Sequence, residues 1–163
     1  MSLGDISILS PGGQQLPPSM RFRTELNTTV ANPGEPVAIG GTGTNYVAVL
    51  ADAKPLTSDA SFAGIASSLS TQTAAVDGVV DVLIPVGGIV YACKAKTSTT
   101  FDTDAEILAV LNDNVILDLT NGVYTVDVAA GSAGGTGAFR IVGGDPSTAT
   151  VYMIAKSAGT FLA

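Results

Sequence analysis

Histidine and tryptophan are absent from this 163-residue chain, and cysteine occurs once. Without an imidazole, neither a Ser-His-Asp nor a Cys-His nucleophilic site can be assembled, and the usual zinc ligand sets are excluded with them. The single thiol, Cys93, cannot form an internal disulfide, and its place in the apolar run IVYACKA predicts a packed, unreactive side chain. Aromatic residues are 6% of the chain, which with no tryptophan leaves little to stack a sugar. Charge is scarce as well: 13% of residues carry it, against about 25% in an ordinary soluble domain. Seven bases face 14 acids, and no cluster of four or more bases occurs, so nucleic acid is not an expected partner. No apolar run reaches the roughly 18 residues of a membrane helix. The N-terminus has no Lys or Arg ahead of an apolar run, which predicts no secretory signal.

What the chain does have is a 46% apolar share and a mean hydropathy of +0.43. That is too little charge to cover a monomer comfortably, and it predicts surface buried against neighbouring subunits. The length fits one domain.

Residues 62–96 carry the strongest strand signal. Val80, Val82 and Ile84 alternate with Val79, Asp81 and Leu83, and Ile89, Val90 and Tyr91 resume after Pro85 and Gly87-Gly88, which predicts a central hairpin. Residues 37–39 and 46–50 predict another hairpin around Gly40 to Asn45. Thr103 and Glu106 have capping-box spacing and predict a helix over 103–112, with Ile107, Leu108 and Leu111 as its apolar stripe. Val115 to Leu119 and Val123 to Val128 flank Asn121-Gly122, a strong hairpin turn. Phe139 to Val142 and Val151 to Ala155 predict two more strands around a turn at Gly143 to Pro146. The expected fold is therefore mainly β: a compact β-barrel or sandwich of short antiparallel strands with one short helix and an extended N-terminal arm.

Five prolines spread over residues 1–36 predict that arm, leaving residues 37–163 as the β-rich domain. Within the arm, Met20, Arg21, Phe22 and Arg23 place the only clustered arginines beside two large apolar side chains. They are candidate contacts to a neighbouring subunit, with the arginines pairing its carboxylates. The Ser/Thr-rich stretch Ser67, Ser68, Ser70, Thr71 and Thr73 reads as a surface loop and a second candidate contact.

Catalytic, cofactor and metal sites are not expected. The glycine runs GGTGTNY and GSAGGTG lack the lysine of a phosphate loop. Asp102, Asp104 and Glu106 start like a calcium loop but lack its glycine and distant glutamate, and helix capping already accounts for two of them. Asn27-Thr28-Thr29 matches a glycosylation pattern with no export signal to support it.

Taken together, FAGIA, STQTAAVDGVVDV, PVGGIVYACKAK and FDTDAEILAVLNDNVILDLT, spanning roughly Glu35 to Thr120, resemble small head proteins of tailed bacteriophages of the capsid decoration or cement type. The resemblance implies a β-rich virion protein on the outer face of an assembled capsid, bracing the shell against genome pressure. It implies the major capsid protein of the same virion as partner, and self-association, with trimers among the stoichiometries. It implies no enzymatic activity, no cofactor, no nucleic acid and no membrane. A tail-tube or head-completion subunit shares these features, and a bacterial surface or carbohydrate-binding module is a reading from another class.

Overall fold

Short stretches rich in Val, Ile, Tyr and Phe, cut by Gly, Pro and Asn, favour many brief strands over long helices. A computed structural model describes residues 6–9, 17–39, 46–49, 62–85, 88–120, 122–132 and 137–156. In chain order the elements are β1 (Ser7–Leu9), β2 (Ser19–Thr24), β3 (Pro36–Ile39), β4 (Val47–Val49), β5 (Phe62–Ala66), β6 (Gly78–Leu83) and β7 (Val90–Lys94), then helix α1 (Asp104–Ala109). After it come β8 (Asn114–Thr120), β9 (Val123–Ser132), β10 (Phe139–Asp145) and β11 (Thr150–Ala155). They form two antiparallel sheets, one six-stranded in the order β1-β7-β11-β10-β8-β9 and one five-stranded in the order β2-β6-β5-β3-β4. Each sheet curls until a single parallel bridge joins distant strands, Ala95 to Val126 in the first and Arg23 to Tyr46 in the second. The mainly β, sandwich-like fold with one short helix is as the sequence predicts.

Two cores share one strand. Tyr91, Phe101, Leu117, Phe139 and Met153 are among the residues filling the space enclosed by the six-stranded sheet, and Phe22, Val37, Val47, Val80 and Val82 fill the five-stranded one. All five residues of β5 are buried. Phe62 and Ile65 face the first core, while Ala63 and Ala66 face the second. Strict alternation forbids that division, and a bulge supplies it: Val37 opposes Gly64 and Ala38 opposes Phe62, so Ala63 is an extra residue that resets the facing. Phe62 then sits edge-on to Tyr91 at 6.0 Å and tilted against Phe139 at 4.7 Å, joining the sheets through three aromatic rings. Gly64 is required there. Its φ is +144°, and a Cβ would fall on the Leu83 carbonyl oxygen.

Several expectations need correcting. β6 and β7 are not a hairpin. Both edges of β6 are taken by β2 and β5, and both edges of β7 by β1 and β11, so the chain crosses between sheets after Pro85. Residues 19–24 of the expected arm form an integral strand, paired along its whole length with β6, because SMRFRT alternates as well as any other strand of the chain. Residues 1–5 and 10–16 lie outside the described residues. The helix keeps the predicted capping box but is shorter, and only Ile107 of its expected stripe is buried; Leu108 is 70% exposed. β10 runs on through Gly143 and Gly144, and the turn falls instead on the 3-10 segment Pro146–Thr148. The β3–β4 pair and the β8–β9 hairpin are as predicted, although Gly40 to Asn45 and Asn121 lie outside the described residues.

Candidate functional site

The two candidate contact segments lie on either side of β6. Along β2, Phe22 and Thr24 point inward and are buried, whereas Arg21 and Arg23 point outward. Phe22 is thus core rather than contact surface. Arg21 opposes Asp81 and grips it bidentately, Nε at 2.8 Å and Nη2 at 3.2 Å. Arg23 donates to Asp77 at 3.1 Å and lies 4.8 Å from the ring centroid of Tyr46. The carboxylates expected from a neighbouring subunit are therefore supplied by the same chain.

Asp77 is the busiest of these groups. It accepts from the Tyr46 hydroxyl at 2.8 Å, the Leu26 N–H at 3.0 Å and Arg23, and so ties β2 to the residue ahead of β4 where the five-stranded sheet closes. The Tyr46 hydrogen bond, then the Leu26 N–H, holds its carboxyl below the usual range, and the same Tyr46 bond pushes that phenol up. The Arg21 guanidinium does the same to Asp81.

On the other side of β6, residues 67–73 are stitched to the sheet rather than looped away from it. Ser67 N donates to the Asp81 carbonyl at 2.7 Å and Thr71 N to the Val79 carbonyl at 3.1 Å. The β6 amides are met by hydroxyls: Asp81 N donates to Ser68 Oγ at 2.9 Å and Val79 N to Thr71 Oγ1 at 3.0 Å. Ser70 is buried, and its Oγ accepts from Ala31 N at 2.7 Å; Thr73 Oγ1 accepts from Ala75 N and Val76 N. The Ser/Thr content here serves the backbone, which occupies hydroxyls the sequence reading assigned to a partner. Among the side chains left exposed are six large apolar ones, Met20, Leu26, Val30, Leu69, Val76 and Val79. They lie on segments 20–30 and 69–79, which are joined by Asn27 N to the Thr73 carbonyl and Ser70 N to the Ala31 carbonyl. Of these, sequence reasoning singled out only Met20.

A second surface was missed altogether. Strand register places Leu9, Val90 and Ile154 in one row across the outer face of the six-stranded sheet, with Ala92 and Tyr152 in the next; Leu9 is exposed, Ala92 is buried and the other three are half-buried. An antiparallel sheet with one wet face normally alternates apolar and polar, yet VYACK and TVYMIA are apolar in both registers. That double register was the available signal.

The acidic stretch before α1 is consumed by its cap. Glu106 Oε2 accepts from Asp102 N, Thr103 N and Thr103 Oγ1, which holds its carboxyl down, and the hydrogen bond with Glu106 pushes Asp102 up. Among the described residues no cluster of three or more Cys, Asp or Glu is placed to hold a metal ion. Cys93 is buried, with Sγ 3.5 Å from the Tyr124 carbonyl. No protein-family model matches the chain, nor does any curated protein.

Proposed function

We propose that the chain is a virion structural protein that binds the outer face of an assembled phage capsid, with the major capsid protein of the same virion as its partner, and stabilises the shell without catalysis. The observation that carries this reading is where exposed apolar side chains fall: six of the eleven large ones among the described residues lie on segments 20–30 and 69–79. Between them Arg21 and Arg23 are already paired with Asp81 and Asp77, so docking would leave neither guanidinium without a carboxylate. Docking that covers these apolar side chains gains affinity from apolar area, at about 25 cal/mol per Å² removed from water. Modest affinity per copy then sums over many copies on one shell. The sequence resemblance to decoration proteins supports the same reading.

Co-sedimentation with genome-free shells of the parent virus tests it. Saturable binding that raises the shell melting temperature is the expected result, weakened by Leu69→Asp and Val76→Asp. Absence of binding, with open-ended tubes at the column void, would reassign the chain to a tail tube.

A further inference from the structure

We propose that Thr24 and Gln72 hold an internal water between the five-stranded sheet and the segments packed on it. Both side chains are buried, at 2% and 6% exposure, and Thr24 Oγ1 and Gln72 Oε1 have no hydrogen-bond partner among the described residues. Gly78 places them side by side. It opposes Thr24 in the β2–β6 pair, and a Cβ built on it would fall on the Gln72 backbone N, so Gln72 lies over the same inner face into which Thr24 projects. The Gln72 amide has a fixed sense. Its Nε2 donates to the Thr29 carbonyl at 2.9 Å, a group that can only accept, and to Thr28 Oγ1 at 3.3 Å, whose own proton goes to the Glu25 carbonyl. Both amide protons are thereby used, and Oε1 is left as an acceptor alone.

A bridge between these atoms must donate to the amide oxygen and either donate to or accept from the hydroxyl. Water does both and finds here the two polar partners that a buried water needs at least, whereas a hard metal cation requires several more oxygens. The other two buried side-chain oxygens without a partner do not pair in this way. Tyr91 lies in the core of the six-stranded sheet against the Phe62 and Phe139 rings, and Thr125 alternates with the core residues Tyr124 and Val126 and so faces outward. The bridging water can leave only when segments 25–31 and 69–77 lift from β2 and β6, so its residence time reports the opening of a lobe that carries the exposed Leu26, Val30, Leu69 and Val76. The site belongs to the isolated chain and is independent of shell binding.

Diffraction from crystals of the full-length protein, at a resolution that shows ordered solvent, reads the site directly. A water within hydrogen-bond distance of both Thr24 Oγ1 and Gln72 Oε1 is expected. No water there, whether because the two atoms bond directly or because a side chain fills the space, would overturn the proposal. In solution, oxygen-17 magnetic relaxation dispersion counts waters held for longer than the protein takes to tumble. Thr24→Val lowers the dispersion amplitude by the share of one such water, whereas Thr24→Ser, which keeps the hydroxyl, and Thr125→Val leave it as in wild type. An amplitude equal in Thr24→Val and wild type would likewise count against the site.

Discussion

Gly144→Ala isolates a single steric contact. Gly144 opposes the buried Val151 in the β10–β11 pair, and the fully buried ring of Phe101 lies against its Cα. An added Cβ would overlap Phe101 Cε1, stand 2.5 Å from Cζ, and approach the Thr150 carbonyl oxygen to 2.8 Å. The backbone at 144 is not left-handed, so conformational strain does not enter. Overpacking of this degree costs about 3 kcal/mol, the upper end of the usual range. Loss of glycine's freedom in the unfolded chain offsets about 0.5–1 kcal/mol of that. The net destabilisation is about 2 kcal/mol, which moves a urea midpoint followed by far-UV circular dichroism down by roughly 1 M. Phe101→Leu alone costs about 1–1.5 kcal/mol, but in the Gly144→Ala background it relieves the overlap, so the pair couples favourably by about 1 kcal/mol. An unchanged midpoint for Gly144→Ala, or strict additivity in the double variant, would refute the packing argument.

Thr103→Ala removes the acceptor that meets Glu106 N at the start of α1 and lowers stability by about 1 kcal/mol, read as a shifted urea midpoint. Asp77 and Asp81 are held below the ordinary carboxylate pKa of about 4. A depressed carboxylate contributes stability that is complete above its unfolded pKa and lost as pH falls through its folded one. The melting-temperature gap between wild type and Asp77→Asn should therefore be widest above about pH 5 and close toward pH 2; a gap independent of pH would contradict the assignment. Cys93 should react with an aromatic disulfide reagent only as fast as the protein opens, and at once in denaturant.

What the sequence made legible was local. The capping box at Thr103 and Glu106, the antiparallel pairing of β8 with β9 and the presence of a strand beginning at Phe139 and another ending at Ala155 depend on neighbours a few residues away, and they appear where the pattern places them. The β6–β7 crossing was not legible, because Pro85 and Gly88 suit a hairpin and a crossing equally, and the choice rests on which strands occupy the edges. Phe22 was misread for a different reason. Its alternation with Arg21 and Arg23 was present, but the surrounding prolines outweighed six residues of period-two pattern. Ser67 to Thr73 lies outside any strand, as its composition suggests, but hydroxyls that replace ladder partners cannot be told from hydroxyls that face water until the neighbouring backbone is placed.

The sharing of β5 between two cores bears on what such a protein can do on a surface. A curled sheet of short strands closed by one bridge is weak at its seam, because a single pair of backbone groups resists opening. In the five-stranded sheet that seam is reinforced by Asp77, Arg23 and Tyr46, and in the six-stranded sheet by Lys96, which pairs with Asp118 at 2.6 Å and Asp127 at 3.2 Å. The cations Arg23 and Lys96 are exposed, the carboxylates are half-buried, and each pair is individually weak. Resistance to shear must come from inside, where Phe62 cannot leave the first core without drawing Ala63 and Ala66 from the second. Opening either seam far enough to release a strand thus disturbs both cores at once, which couples the two curled sheets into one cooperative unit. A strand held by both cores at once is something that neither sheet has alone.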